Sequence, residues 1–522
     1  MNKLKLIYVL IPALFLLACD DFLDETPDNR TELDSKIKIR KLLTSAYPSN
    51  TYTLLAELSS DNIVDLGEDN PYTVRMIEQV AYWQNDTESD IDGVKELWQS
   101  AYNAIAHANQ ALDAISKVTD EDVSAEKGEA LITRAYNHFV LVNVFCKHYN
   151  QTSSSTDLGI PYIEAPETAL SPVYQRGNVA EVYKKINADI EAALPLIKDD
   201  IYEVKPYHFN KKAAYAFAAR FNLYYEKWSK AKEYANVVLG NNPASVLRDW
   251  VALGKIPRNS DAVSQAYIKN DANLLSITAY TSAGLLFGAG YYYGSRFNHT
   301  RFLSEKETLY AEMPWGNLNI WSYNYMAFSY KASNMDKTLV IKVPYLFEVT
   351  DPVSNIGYWR SVINPFTTDE CLLVRAEAEI MLNEKAAAMD DLNTWTQAYF
   401  KQTSVSQVTT IADIAKFYDT ANMPYSTNNA PNQKKKLNPK FSISAGEQES
   451  MIHYLLQCRR ILTLHEGLRW FDIKRYGIEV PRYQDQGNGY LKVIDVLAVD
   501  DNRRAIQLPQ DVISAGMEAN PR

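Results

Sequence analysis

Two apolar stretches joined by a three-residue link constrain this chain more than any other feature. Leu97, Trp98, Ala101, Ile105, Ala108, Leu112 and Ile115 recur at helical spacing, and so do Leu131, Ala135, Phe139, Val142 and Cys146. Asp92 is placed to cap the first helix, and the second is expected over roughly 121–148. The link at 118–120 makes the two antiparallel neighbours, and alanines at the packing positions let their axes approach closely. A preceding helix is expected over 35–47. The paired pattern then returns. Tyr183, Ile186, Ile190, Ala193 and Ile197 mark a helix that Pro195 ends or kinks. Asn210 caps another, carrying Ala214, Phe217, Phe221 and Tyr225, with a short companion through Trp228, Ala231, Ala235 and Val238. A third set covers 369–383, 385–400 and 447–465. Helix pairs of this size, stacked in series, predict a mainly α fold on a tetratricopeptide-like scaffold.

Between the second and third sets, 241–368 changes character. Helical runs thin out, Gly284, Gly288, Gly290 and Gly294 interrupt the pattern, and aromatic residues crowd together. The scaffold is therefore expected to hold a large, irregular, loop-rich aromatic insertion. A second loop-rich piece, 426–441, carries Lys434, Lys435 and Lys436, which are expected to be solvated.

The chain opens with Lys3 and Lys5, an apolar run from Leu6 to Leu17, and then Ala18-Cys19-Asp20-Asp21. The run is short for a permanent membrane span and suits a secretory signal. A small residue before cysteine has the form of a bacterial lipoprotein cleavage site, so Cys19 is expected to be acylated and to become the mature N-terminus. The expected layout is a signal peptide over 1–18 and a lipidated spacer over 19–34. An N-terminal helical region over 35–240, the insertion over 241–368 and a C-terminal helical region over 369–522 follow. The formal charge of -11 argues against nucleic acid and against a polybasic hold on anionic lipid. Cys146, Cys371 and Cys458 are too scattered for a disulfide framework and read as buried apolar side chains. No metal-ligand spacing, phosphate loop or nucleophile elbow stands out, and no metal or cofactor is expected.

Several segments, taken in order, resemble the SusD/RagB outer-membrane nutrient-binding lipoproteins. "LWQSAYNAIAHANQAL" (97–112) and "KGEALITRAYNHFVLV" (127–142) resemble the first helix pair of that family. "NVAEVYKKINADIEAALPLI" (178–197) and "HFNKKAAYAFAARFNLYYEKWSKA" (208–231) resemble the second. "ECLLVRAEAEIMLN" (370–383), "HEGLRWFDIKRYG" (465–477) and the ending "DDNRRAIQLPQ…NPR" resemble its most distinctive stretches. Cys458 and Leu462 stand where the family carries acidic residues, which removes local ion pairs from that helix.

The resemblance implies a surface-exposed, lipid-anchored protein of the cell outer membrane. It would bind a glycan or oligosaccharide without catalysis and deliver it to a SusC-like TonB-dependent transporter. An alternative is a surface carbohydrate-active enzyme in which Glu466 and Asp472 serve as a glycoside-hydrolase pair. The ladder Glu466, Arg469, Asp472 and Arg475 otherwise reads as helix-face ion pairs.

Aromatic residues make up 12% of the chain, with 35 tyrosines. Flat rings pack on the C–H faces of sugars and freeze few torsions on binding. Trp98, Trp228, Trp395 and Trp470 lie on helical stripes and read as scaffold. Trp315, Trp321, Tyr323 and Tyr325, in the interrupted insertion, are the expected ligand contacts, followed by Tyr291 and Tyr292. Tyr72 and Trp83 precede the first helix pair, in a region that the resemblance brings to the ligand site. Asp61, Asn85, Asn317 and Arg360 are the expected hydrogen-bonding partners.

Overall fold

In a computed structural model of the chain, residues 33–70, 73–168, 174–257, 260–288, 295–325, 327–332, 335–403, 408–487 and 490–522 are described. Cys19, Tyr72, Tyr291 and Tyr292 lie outside the described residues.

The scaffold helices fall where the apolar spacing puts them, and Thr53–Ser59, Arg75–Ala81 and Ile411–Phe417 are further helices that the spacing does not mark. Helix α1 is Lys36–Leu43, α2 Val94–Ile115 and α3 Ser124–Phe145. Helix α4 is Val179–Ala193, α5 Lys211–Tyr224 and α6 Trp228–Leu239. Later come α7 (Thr368–Met381), α8 (Lys385–Tyr399), α9 (Glu447–Leu462) and α10 (Leu468–Arg475). Neighbouring helices stack in series: α2 on α3, α3 on α4, α5 on α6, α6 on α7, α7 on α8 and on α9. Helix α3 is buried on nearly every face, as befits the inner layer of such a stack. The alanine expectation holds: Ala101, Ala104, Ala108, Ala111, Ala130 and Ala135 are all buried.

Helix ends follow local chemistry. Asn210 caps α5, its side chain accepting from the Ala213 N–H at 3.1 Å. Pro195 ends α4 by closing it into a 3-10 turn at Leu194–Leu196. Asp92 does not cap α2; Gly93 holds that position. The Asp92 carboxylate instead accepts from the Thr281 hydroxyl at 2.5 Å and from the Ser282 N–H at 2.7 Å, tying the first helix pair to the insertion.

The insertion is more ordered than its composition suggests. It carries strands β2 (Asn273–Tyr280), β3 (Phe297–Asn298), β4 (Phe328–Ala332), β5 (Met335–Leu339), β6 (Leu346–Asp351) and β7 (Ile356–Thr367). Strand β7 is flanked by β2 and β6, both antiparallel, and β4 pairs with β5. A small sheet joins three distant parts of the chain. Strand β1 (Val64–Asp65) lies antiparallel to β3 and parallel to β8 (Val480–Asp485), which pairs with β9 (Leu491–Leu497).

A buried ion network sits beneath these joints. Arg459 on α9 is fully buried and lies 3.1 Å from Asp472 and 3.4 Å from Glu370. Arg475 pairs with Glu377 at 2.5 Å, and Arg220 with Glu370 at 3.1 Å. Asp61 accepts two hydrogen bonds from Arg469, at 2.8 and 2.9 Å, with Arg460 at 3.3 Å. The expected ladder on α10 is thus largely replaced by long-range pairs, because these side chains face the interior. Lys434 and Lys435 are likewise buried, correcting the expectation of a solvated loop. Lys435 pairs with Glu307 at 2.7 Å, and the Lys434 ammonium donates to backbone carbonyls including that of Met423, at 3.2 Å. Lys436 is exposed. The three remaining cysteines are buried free thiols. No helix among the described residues is long and apolar enough to cross a membrane.

Candidate functional site

The loop at 315–325 separates its aromatic residues by role. Tyr323 and Tyr325 are 1% and 2% exposed, and their hydroxyls donate to the carbonyls of Leu309 and Ile341. A tyrosine whose hydroxyl finds a carbonyl can be buried at little cost, so these two are roots and not contacts. This corrects the expectation that they face a ligand. Asn324 adds further stitches: its side chain donates to Ala398 at 2.9 Å and to Phe400 at 3.1 Å, and its own N–H to Tyr399 at 3.1 Å. The Lys401 N–H closes the frame on the Ser322 carbonyl at 2.9 Å.

Trp321 stands on top of this frame. It occupies the 3-10 turn Ile320–Ser322, where the Asn319 side chain accepts from its N–H at 2.8 Å and the Ser322 hydroxyl accepts from the Asn319 N–H at 3.0 Å. Trp321 is 66% exposed, among the largest apolar exposures in the described chain. The Lys401 ammonium lies 5.8 Å from the ring centre, and Asn317 and Asn319 are exposed beside it in sequence. An exposed indole on a backbone fixed from both sides is a preorganised surface, and hydrogen-bond donors and acceptors lie close by along the chain.

Trp315 is half-buried, with ring contacts to Phe400 at 5.3 Å and Tyr454 at 6.0 Å, so at most one edge is available. Trp83 is buried, correcting its expected ligand role. Its indole N–H donates to the Ser59 carbonyl at 2.8 Å, and the guanidinium of Arg482 lies 4.7 Å from its ring. Asp61 is also no ligand contact, since its carboxylate is buried against Arg460 and Arg469. Burial alone would push that acid up, but the two guanidiniums hold it well below the usual carboxylate range. Asn85 is exposed and accepts from Arg522 at 2.9 Å, beside the C-terminus.

Arg360 lies on β7, half-exposed and paired with Glu348 of β6 at 2.7 Å. The strand register puts it on one sheet face with Tyr280 and Tyr358, whose rings meet edge-on at 5.7 Å and are 36% and 53% exposed. Sequence reasoning passed over Tyr280 and Tyr358. The cue was available in the alternating Tyr358, Arg360, Val362 of a strand, which points one set of side chains outward. The expected contacts therefore do not form one cluster: Trp315, Trp321 and Asn317 share the loop, and Arg360 belongs to the sheet.

Glu466 and Asp472 do not form a free carboxylate pair. Asp472 is buried between Arg459 and Arg475, and Glu466 accepts from the Lys342 ammonium at 3.0 Å and from the Tyr267 hydroxyl at 3.1 Å.

A family model described as SusD-like, starch-binding and associating with the outer membrane matches residues 21–223. A crystal structure of a SusD superfamily protein from Bacteroides vulgatus is 19% identical, with a TM-score of 0.61 over 92% of this chain and 97% of that one. One from Bacteroides fragilis is 16% identical, with a TM-score of 0.61 over 93% of this chain and 99% of that one. A SusD-like carbohydrate binding protein from Bacteroides vulgatus is 16% identical, with a TM-score of 0.57 over 92% and 96%. No curated protein matches the chain.

Proposed function

We propose, from the match to the SusD-like model over residues 21–223 and the fold shared along nearly the whole chain, that the protein is a glycan-capture protein of that kind. In this reading Cys19 carries the lipid that holds it on the outer face of the outer membrane. Trp321 is the platform on which a sugar ring settles, with Asn317 and Lys401 as hydrogen-bonding neighbours. The bound glycan is passed, unhydrolysed, to a SusC-like TonB-dependent transporter that the protein covers. Arg360 belongs to a second exposed aromatic face, with Tyr280 and Tyr358.

The observation that carries the reading is the exposed ring of Trp321 on a loop anchored by Tyr323, Asn324 and Tyr325. A flat ring held in water on a fixed backbone adds little to the core and is the kind of surface on which sugar C–H faces pack. The non-catalytic part of the reading rests on the engagement of Glu466 and Asp472 by interior cations. Incubation with polysaccharides followed by assay for new reducing ends tests it: binding without release is expected, and sustained release would favour a hydrolase. Gentle solubilisation of the outer membrane should recover a large barrel protein with this one, and its absence would count against the transporter.

A further inference from the structure

A cleft of about 470 Å³ opens beside α2, well within the size of a small-ligand site. Its walls are Trp98 and Tyr102 from α2, Ile163 and Pro166 from the loop after α3, Tyr174, and Met517 from the C-terminal strap. None of these takes part in the Trp321 loop.

The cleft is held in shape by polar groups turned away from it. The Tyr102 hydroxyl donates to the Pro161 carbonyl at 2.8 Å, and Asn109 donates to the Ile163 carbonyl at 3.0 Å. Arg134, locked to Asp189 by two bonds of 2.7 Å, reaches the Glu164 carbonyl at 3.1 Å. The Ile163 N–H donates to His138 Nε2 at 3.1 Å. On the far side, Arg176 donates to the Gly159 carbonyl at 2.7 Å and to the Glu518 carbonyl at 2.9 Å, fixing the strap that carries Met517. The loop's polar backbone is thus largely satisfied from behind. Pro161, Ile163, Ala165 and Pro166 present apolar surface to the cleft, and the half-buried Tyr102 and Tyr174 supply its aromatic wall, with Trp98 almost wholly in the core behind them.

The mouth has a different chemistry. Gln110 and Glu167 are exposed there and His107 is half-exposed; Glu167 accepts from the Tyr174 hydroxyl at 2.7 Å, which leaves its other oxygen for a ligand hydroxyl. Glu167 is the one carboxylate among the described lining residues, and no lysine or arginine accompanies it. A carboxylate at the rim of an aromatic cleft accepts from hydroxyls and repels anions.

We propose that this cleft is a second saccharide subsite, which takes a neutral sugar unit with its apolar face against the aromatic wall and rejects uronic acids. The proposal rests on the glycan-capture reading. It adds a place and a charge class: the same glycan, or a second one, is gripped at the helical scaffold as well as at the insertion.

Ala106 is exposed on α2 and lines the cleft, so Ala106→Trp fills the space without entering the core. Glu167→Gln removes the rim charge from an exposed position. Isothermal titration of the full chain would use malto-, cello-, manno-, xylo- and chitohexaose, with hexagalacturonate as the acidic control. Trp321→Ala is the reference variant, and thermal melting confirms that each variant is folded. The expected result is two sites for at least one neutral hexasaccharide in the wild type. One site is lost in Ala106→Trp, the other in Trp321→Ala, and Glu167→Gln weakens the cleft site roughly tenfold. A single site lost only in Trp321→Ala overturns the cleft proposal and leaves the glycan-capture reading standing. No binding of any hexasaccharide overturns both. Heat from a casein peptide digest that Ala106→Trp abolishes, with none from the sugars, overturns it in favour of a peptide occupant.

Discussion

The ammonium of Lys401 stands 5.8 Å from the centre of the Trp321 ring while Trp321 as a residue is 66% exposed. A cation beside an indole steadies its orientation and offers three donors to a ligand resting on the ring. Lys401→Ala is expected to weaken glycan binding by about 0.5–1 kcal/mol, the size of an exposed cation–π contact, with melting temperature unchanged. Titration calorimetry checks this, and unaltered affinity would remove Lys401 from the site.

Arg459 is the hub of the buried network, with Glu370, Glu377 and Asp472 all within 4.0 Å. Deleting it leaves carboxylates facing one another in an interior that hydrates them poorly. Arg459→Ala is expected to cost about 3–5 kcal/mol of stability, read from the denaturant midpoint. A loss below about 1 kcal/mol would show that water reaches this network.

His138 supports the cleft loop as a neutral ring, donating from Nδ1 to the Arg134 carbonyl and accepting at Nε2 from the Ile163 N–H. Burial pushes its pKa down to about 3, against roughly 6.5 in an unfolded chain. The folded value is the lower one, so its contribution is fully present above about pH 6.5 and is lost as pH falls toward 3. Buried Glu57 and Asp92 are shifted the opposite way, up to about 7 and about 6, chiefly by burial, and their contribution fades as pH rises. A difference measurement therefore isolates the histidine. The stability gap between wild type and His138→Gln should narrow from pH 7 to pH 4.5, by at most about 1.4 kcal/mol per pH unit. A gap that stays constant would contradict the assignment.

The scaffold was legible because helix pairing leaves a strong periodic trace. Leu97 through Ile115 and Tyr183 through Ala193 lie on helices as expected, and Asn210 caps as its side chain suggests. The insertion was harder to read. Its aromatic residues mark a place where rings gather, but only the path of the backbone decides which face water. Between Trp321 and Tyr323 lies one residue and a 3-10 turn, and that turn sends one ring out and the other in. The buried lysines escaped notice for a similar reason. Lys434 and Lys435 look like a solvated run until Glu307 and the carbonyl of Met423, from distant and neighbouring parts of the chain, are brought to them. The cleft beside α2 was hidden inside a stripe that reads as packing, since Trp98 both lines it and fills the core.

Affinity electrophoresis of the wild type and Trp321→Ala through gels holding plant, host and microbial polysaccharides tests the central claim most directly. The wild type should be retarded by at least one polysaccharide. The folded variant should lose that retardation, consistent with about 2 kcal/mol from a central aromatic contact. Equal retardation of both proteins, or free migration of the wild type through every gel, would contradict the assignment of Trp321 as the ring on which the glycan rests.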